Sequence, residues 1–295
     1  MLRATRLDEV TRFDLARSVA GRGLYWTCAY LVGDTLVDSG CAHSARELVA
    51  ALRDAPLARI LCTHAHEDHI GANGPLQRER PGLVVAVHPA SLVVLADPRG
   101  RQHEHLYQRF MWGWPEPSVG RPLADGEVVA AGRYRFQVIY TPGHSADHVC
   151  LLEPERRWLF TGDLYVGGRD RALRADADIR DIIASLKRIA AVRPRRLFPG
   201  AARVPADAAA ALEAKIAHLD DLRERILDLH RRGLGEGEIA RRACGRSMPI
   251  ELLTLGHYSR RWMVRSCLRA ATGDGPGAPA GRHGGSPAYG ASCTR

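Results

Sequence analysis

Between Thr63 and His69 the chain reads Thr-His-Ala-His-Glu-Asp-His, which puts His64, His66, Asp68 and His69 within six residues. The run follows the apolar segment that begins at Ile60. On an extended segment, residues two apart share a face, so His64, His66 and Asp68 can converge. Imidazole nitrogens with a carboxylate suit Zn²⁺ or a related first-row ion. Two later segments repeat the arrangement. A strand ending at Thr141 runs into Pro142-Gly143-His144, and a strand ending at Thr161 runs into Gly162-Asp163. Ligand groups in sheet proteins gather just past such strand ends, so three of them in one chain point to a metal centre. His148, four residues after His144, is read as a supporting or structural residue rather than a ligand. His88, His103 and His105 are read as non-ligands, although His103 and His105 sit on a loop that could touch substrate.

The elements that must carry these residues are short. Ala29–Val37, Ile60–Thr63, Leu83–Val87, Tyr134–Thr141, Val149–Leu152 and Trp158–Thr161 read as strands bounded by turn residues. Asp68 and His69 read as the start of a helix. Ser44 with Glu47 has the spacing of a capping box ahead of Leu48 and Leu52. Asp178 opens a helix with Ile179, Ile182, Ile183, Leu186 and Ala190 on one face, stopped before Pro194. Strands alternating with helices predict sheets covered by helices. After Pro205, which suits a first helical position, the texture becomes helical. Leu212, Ile216, Leu219, Leu222, Ile226 and Leu229 recur at three- and four-residue spacing up to a stop at Gly233. Helices over Glu236–Cys244 and Ser259–Ala271 follow. The loop Asp97–Ser118, with His103, His105, Phe110, Trp112 and Trp114, has the length and aromatics of a flap over a pocket. The expected division is 1–205 catalytic, 206–270 helical extension, and 271–295 a Gly/Pro-rich disordered tail.

Composition narrows the class. A chain of 295 residues with 45% hydrophobic and 25% charged residues can bury a core without staples and is not wholly disordered. No apolar run reaches a membrane span, and the first ten residues lack a leader's apolar stretch. Seven scattered cysteines with no C-x-x-C pair read as reduced thiols, which with the missing leader predicts a cytoplasmic protein. The formal charge of +9 rests on arginine, only Lys187 and Lys215 being lysine; no run of five like charges occurs, so a solvated arginine-rich surface is the expectation.

The segments His64–His69 (H-x-H-x-D-H), Pro142–Ser145 (P-G-H-S) and Thr161–Asp163 (T-G-D), with Asp38-Ser39-Gly40 in place of an early D-T-G, resemble the metallo-β-lactamase-fold superfamily over about residues 10–205. The region after Pro205 is similar to a small winged-helix-like extension of some members. The resemblance implies an α/β fold, a four-layer αββα sandwich with a small all-helical C-terminal domain. It also implies that His64, His66 and His144 hold a first metal, that Asp163 bridges, and that Asp68 and His69 help hold a second. One position departs from the pattern. Where the family carries a further histidine, this chain reads Leu197-Phe198-Pro199-Gly200-Ala201, and the Ala201 methyl group cannot coordinate. The expectation is therefore one tightly bound Zn²⁺ and a second ion that is weak or absent. His257 is read as structural rather than as a replacement ligand, and Arg203 as a minor partner for Asp68.

An ion with three histidine ligands and an open position lowers the pKa of its water to about 7. The leading expectation is a metallo-hydrolase acting on an ester, thioester, lactone or similar bond of a small molecule, with Asp68 as the catalytic acid–base. Spacing names no substrate-binding residue. One alternative is a mononuclear iron dioxygenase of sulfur compounds using His64, His144 and Asp163. Another is an RNase or nucleic-acid binder, since residues 233–270 hold seven arginines against three acidic residues; the sparseness of stacking aromatics there disfavours it, and a cap over the site or a homodimer contact is the preferred use of that region. A third is a catalytically reduced relative that binds a metabolite, motivated by Ala201. No membrane partner is expected.

Overall fold

The computed structural model describes residues 1–102 and 105–272. Two sheets face each other. The first has seven strands in the order Leu2–Leu7, Val10–Leu15, Thr27–Val32, Thr35–Val37, Arg59–Leu61, Val84–Val87 and Gly120–Pro122. Its first four strands pair antiparallel and the rest parallel. The second has five, in the order Val128–Ala131, Tyr134–Tyr140, Val149–Glu153, Trp158–Gly162 and Arg196–Pro199, with only the last pair parallel.

Three apolar clusters make this a four-layer αββα sandwich. Tyr30, Phe136, Phe160 and Phe198 pack between the sheets, Phe160 stacked on Phe198 with ring centroids 4.7 Å apart. Leu36, Leu48, Ile60 and Leu76 fill the space between the first sheet and helices Ala45–Ala51 and Asn73–Glu79. Leu159, Leu186, Leu212, Ile226 and Met263 lie between the second sheet and the helices that cover it. Helix Ile179–Ala191 forms where expected, with the Asp178 carboxylate accepting from the amides of Arg180 and Asp181. The long helix Ala208–Arg231 buries Leu212, Leu219, Leu222, Ile226 and Leu229. It shares its apolar cluster with Ile179–Ala191, so the region after 205 is packed into the same core as the strands. Among the described residues no helix is long and apolar enough to cross a membrane.

Several local expectations change. Ala29–Val37 is two strands of a hairpin, because Gly33, at φ +58°, and Asp34 turn the chain. Ser44 makes no cap: its hydroxyl donates to the Cys41 carbonyl of a preceding 3₁₀ turn. The long helix starts at Ala208 on an Asp207 cap, downstream of Pro205. The helix after the histidine run starts at Asn73, so Asp68 and His69 lie in a turn. The flap contains helices Pro98–Arg101 and Leu106–Met111. His103 lies outside the described residues, as does the predicted tail beyond Thr272, while Ala271 and Thr272 close the last helix. The extension also holds a short helix, Pro249–Leu253, and is not purely helical: Tyr258–Ser259 pairs antiparallel with Leu173–Arg174. Cys28, Cys41, Cys62, Cys150, Cys244 and Cys267 are free, buried thiols.

Candidate metal centre

The loop after strand Arg59–Leu61 is fixed before it delivers any ligand. The Thr63 amide and hydroxyl both donate to Asp38, at 2.7 and 2.8 Å, and the Thr63 carbonyl accepts from Val149 of the other sheet at 2.7 Å. The Ala65 amide donates 2.9 Å to Asp147, which Ser91 also approaches. With both ends pinned, His64 and His66 turn inward, the first fully buried. Strand Tyr134–Tyr140 brings His144 to them through Gly143, at φ +129°; a Cβ there would lie 2.3 Å from the Ile182 amide nitrogen, so only glycine lets this loop seat against the helix.

The result is compact. His64 Nε2 lies 2.9 Å from His66 Nδ1, which lies 3.0 Å from His144 Nε2. A second triad, His64, His69 and Asp163, shares His64, and within each triad the donor atoms lie within 4.8 Å of one another. His69 Nε2 is 3.3 Å from Asp163 Oδ1 and 3.8 Å from Asp68 Oδ2, and Asp163 Oδ2 is 3.7 Å from His144 Nε2. Five of the six predicted ligands thus fall into two overlapping triads, and Asp68 stands beside His69 rather than in either. His64 and His144 share the first triad, and Asp163 Oδ2 is 3.7 Å from His144 Nε2, so the three ligands expected of a mononuclear dioxygenase also lie close together.

The donor set fits a cation. His69 Nε2 and Asp163 Oδ1 are buried with no hydrogen-bond partner, a costly state unless something positive lies between them. Burial holds His64, His66 and His144 below the usual histidine range, helped at His64 by the other imidazoles and at His66 by Arg174. They are therefore neutral, the form that ligates. At His69 burial opposes protonation, but Asp163, Asp68 and Asp38 outweigh it and raise its pKa. Burial lifts Asp68 to about 7 against the pull of His69, with Asp163 and Glu67 adding to the rise. Asp163 goes the other way: burial is outweighed by His69, His144 and His148, which hold it ionised.

The supporting residues were only partly visible in the sequence. His148 is buried with Nδ1 2.9 Å from the Thr141 hydroxyl and Nε2 accepting from the Asp163 amide at 3.2 Å, so both ring nitrogens are spent on positioning. Asp38 holds His69 Nδ1 at 2.8 Å. Gly200, at the end of strand Arg196–Pro199, brings the chain against the site: a Cβ there would meet Asp163 Oδ1 at 2.6 Å and His69 Cε1 at 2.7 Å. Ala201 follows directly. His257 is bonded to the Tyr107 hydroxyl at 2.7 Å and is not in either triad. His88 stacks on Tyr140, and His105 on His257. A cation lies beside His66 and His144, the guanidinium of Arg174.

A cavity of about 270 Å³ opens onto this cluster, with His66, Asp68, His144 and Asp163 in its wall. The flap contributes Tyr107, Met111 and Trp112, and the extension contributes Ile250, Leu253 and Tyr258. A cleft of about 520 Å³ between Ala45–Ala51 and Asn73–Glu79 contains none of these ligands.

The family described as the metallo-beta-lactamase superfamily matches residues 29–201, the span that supplies every ligand above. The chain belongs to the metallo-beta-lactamase superfamily. Within it, the chain is 29% identical over 185 residues to an atrochrysone carboxyl ACP thioesterase of Aspergillus fumigatus, covering 60% of this chain and 51% of that one. It thus spans about half the length of that relative. A metallo-beta-lactamase family protein of Thermus thermophilus superposes with a TM-score of 0.63 at 22% identity, over 92% of this chain and 97% of that one, so the shared fold extends into the helical extension. TTHA1623, solved in a di-iron-bound form, is 31% identical with a TM-score of 0.51, over 67% of this chain and 96% of that one.

Proposed function

We propose that the protein hydrolyses an acyl thioester, or a related ester or lactone, of a small molecule. The observation that carries this reading is the convergence of His64, His66 and His144 beside Asp163, with His66, His144 and Asp163 in the wall of a cavity large enough for an acyl group. His64, His66 and His144 would hold the first ion, and Asp163 faces the second position beside His69. Neutral imidazoles suit zinc, with iron the alternative. Such an ion supplies Lewis acidity and ionises water near neutral pH. The second position, without a side-chain ligand at Ala201, should fill weakly.

Asp68, in the cavity wall beside His69, is placed to take a proton from the attacking water and return it to the departing thiol as the carbonyl–sulfur bond breaks. Asp38 keeps His69 Nε2 facing Asp68 and Asp163, and His148 fixes the Asp163 backbone. A nucleic-acid substrate fits less well, because Arg241 and Arg242 pair with Glu238, Arg260 with Glu251 and Arg265 with Glu236. A small molecule is the proposed substrate, with no membrane partner, in a cytoplasmic setting.

Metal content per chain, measured with turnover of a panel of thioesters, lactones and phosphodiesters, tests this. About one tightly held equivalent with thioester cleavage is expected. Iron with thiol-dependent oxygen uptake, or phosphodiester cleavage alone, would overturn it.

A further inference from the structure

The cavity has two ends of different character. Its deep end is lined by Leu164, Ala172, Leu173, Ala177 and Ile182, each at most 7% exposed. Its mouth lies at Tyr25 and Leu253, which are 43% and 49% exposed. The deep end abuts the ligands themselves: Leu164 follows Asp163 in the chain, and the Ile182 backbone packs on Gly143, the neighbour of His144. Two charged lining groups outside the ligand cluster are already engaged. Arg174 is held by both oxygens of Asp176, at 3.1 and 3.2 Å, and Asp170 by the buried ammonium of Lys215 at 2.6 Å. Apolar burial is therefore the interaction this end has to offer.

We propose that the deep end is an acyl pocket that selects an apolar acyl group of about six carbons or one ring, with the leaving thiol directed out of the mouth. The inference rests on the hydrolase reading and adds the identity of the acyl group. Size sets the limit. An engineered cavity of about 150 Å³ takes up one benzene, and about 270 Å³, part of it beside the ligands, is less than twice that. A carrier of coenzyme size cannot enter this volume, so the acyl group occupies the closed end and a long chain has no room. The small side chains of Ala172 and Ala177 leave that room.

The test compares acetyl-, hexanoyl- and dodecanoyl-coenzyme A on the metal-loaded full chain, together with calorimetric binding of acetate and hexanoate. Each buried methylene contributes roughly fourfold at most. Hexanoyl should therefore exceed acetyl by about 10- to 100-fold in kcat/KM, and dodecanoyl should fall back by about tenfold or more. Ala177→Leu, which fills the pocket, should lower the hexanoyl-to-acetyl ratio by about tenfold. Ile182→Ala, which enlarges it, should move the preferred length upward. A general folding defect would not shift these ratios in opposite directions. Equal rates for all three chains, or ratios unmoved by both variants, would overturn the acyl pocket and leave the hydrolase reading standing. Hexanoate binding that Ala177→Leu abolishes, in a protein that cleaves no thioester, would support the pocket and overturn the hydrolase reading.

Discussion

His69 Nδ1 lies 2.8 Å from Asp38 Oδ2, and the same carboxylate binds the amide and hydroxyl of Thr63. One aspartate thus orients a ligand imidazole and anchors the loop that leads into His64 and His66. Replacing Asp38 by Asn should cost about 10- to 100-fold in metal affinity, the usual effect of losing such a partner. Competition with a chelator reads this directly, and an unchanged affinity would show that His69 is held by other contacts.

His66 lies between His64 and His144. His66→Ala should remove the tightly held equivalent of metal and reduce turnover by about two orders of magnitude or more. The readout is metal content beside thioesterase rate; full activity in a metal-free variant would refute the proposed mechanism.

Ala201 and Gly200 separate occupancy from access. Ala201→His should raise metal content from about one toward about two equivalents, since it offers the second position another nitrogen. Gly200→Ala should instead weaken metal binding, because its methyl group would press on Asp163 and His69, at a stability cost of about 1–3 kcal/mol. Elemental analysis and melting temperature together distinguish the two outcomes.

Burial pushes the pKa of His148 down to about 3. The folded protein therefore rejects a proton that the unfolded chain accepts below about pH 6.5. The sign is fixed by that: the contribution is fully present above about pH 6.5 and is lost as pH falls toward about 3, at roughly 1.4 kcal/mol per pH unit. Denaturant midpoints of metal-free wild type and His148→Gln, at about pH 7 and about pH 5, should converge as the medium becomes acid. A constant gap between them would mean that His148 is not held neutral.

The candidate ligands carry a sequence signal because each is local: it follows a strand end, and short apolar runs mark those ends. Their supports were not. Asp38 is 31 residues from His69, and Asp147 is 82 from Ala65, so neither pairing has a spacing to read. The sharing of His64 between two triads depends on side-chain directions that alternation does not fix. The split at Gly33 was hidden because apolar residues flank both sides of a two-residue turn. The first strand, Leu2–Leu7, was missed because it is an edge strand whose middle residues are exposed, which gives it almost no apolar signal.

The two-residue ribbon formed by Leu173–Arg174 and Tyr258–Ser259 ties both partners to the wall of the cavity. A swap of the last helices with those of a related chain would therefore carry half of that ribbon with it. Such chimaeras should inherit a rebuilt binding wall together with their new C-terminus, so the junction at Tyr258 is where altered selectivity can be engineered while the ligand-bearing sheets stay untouched.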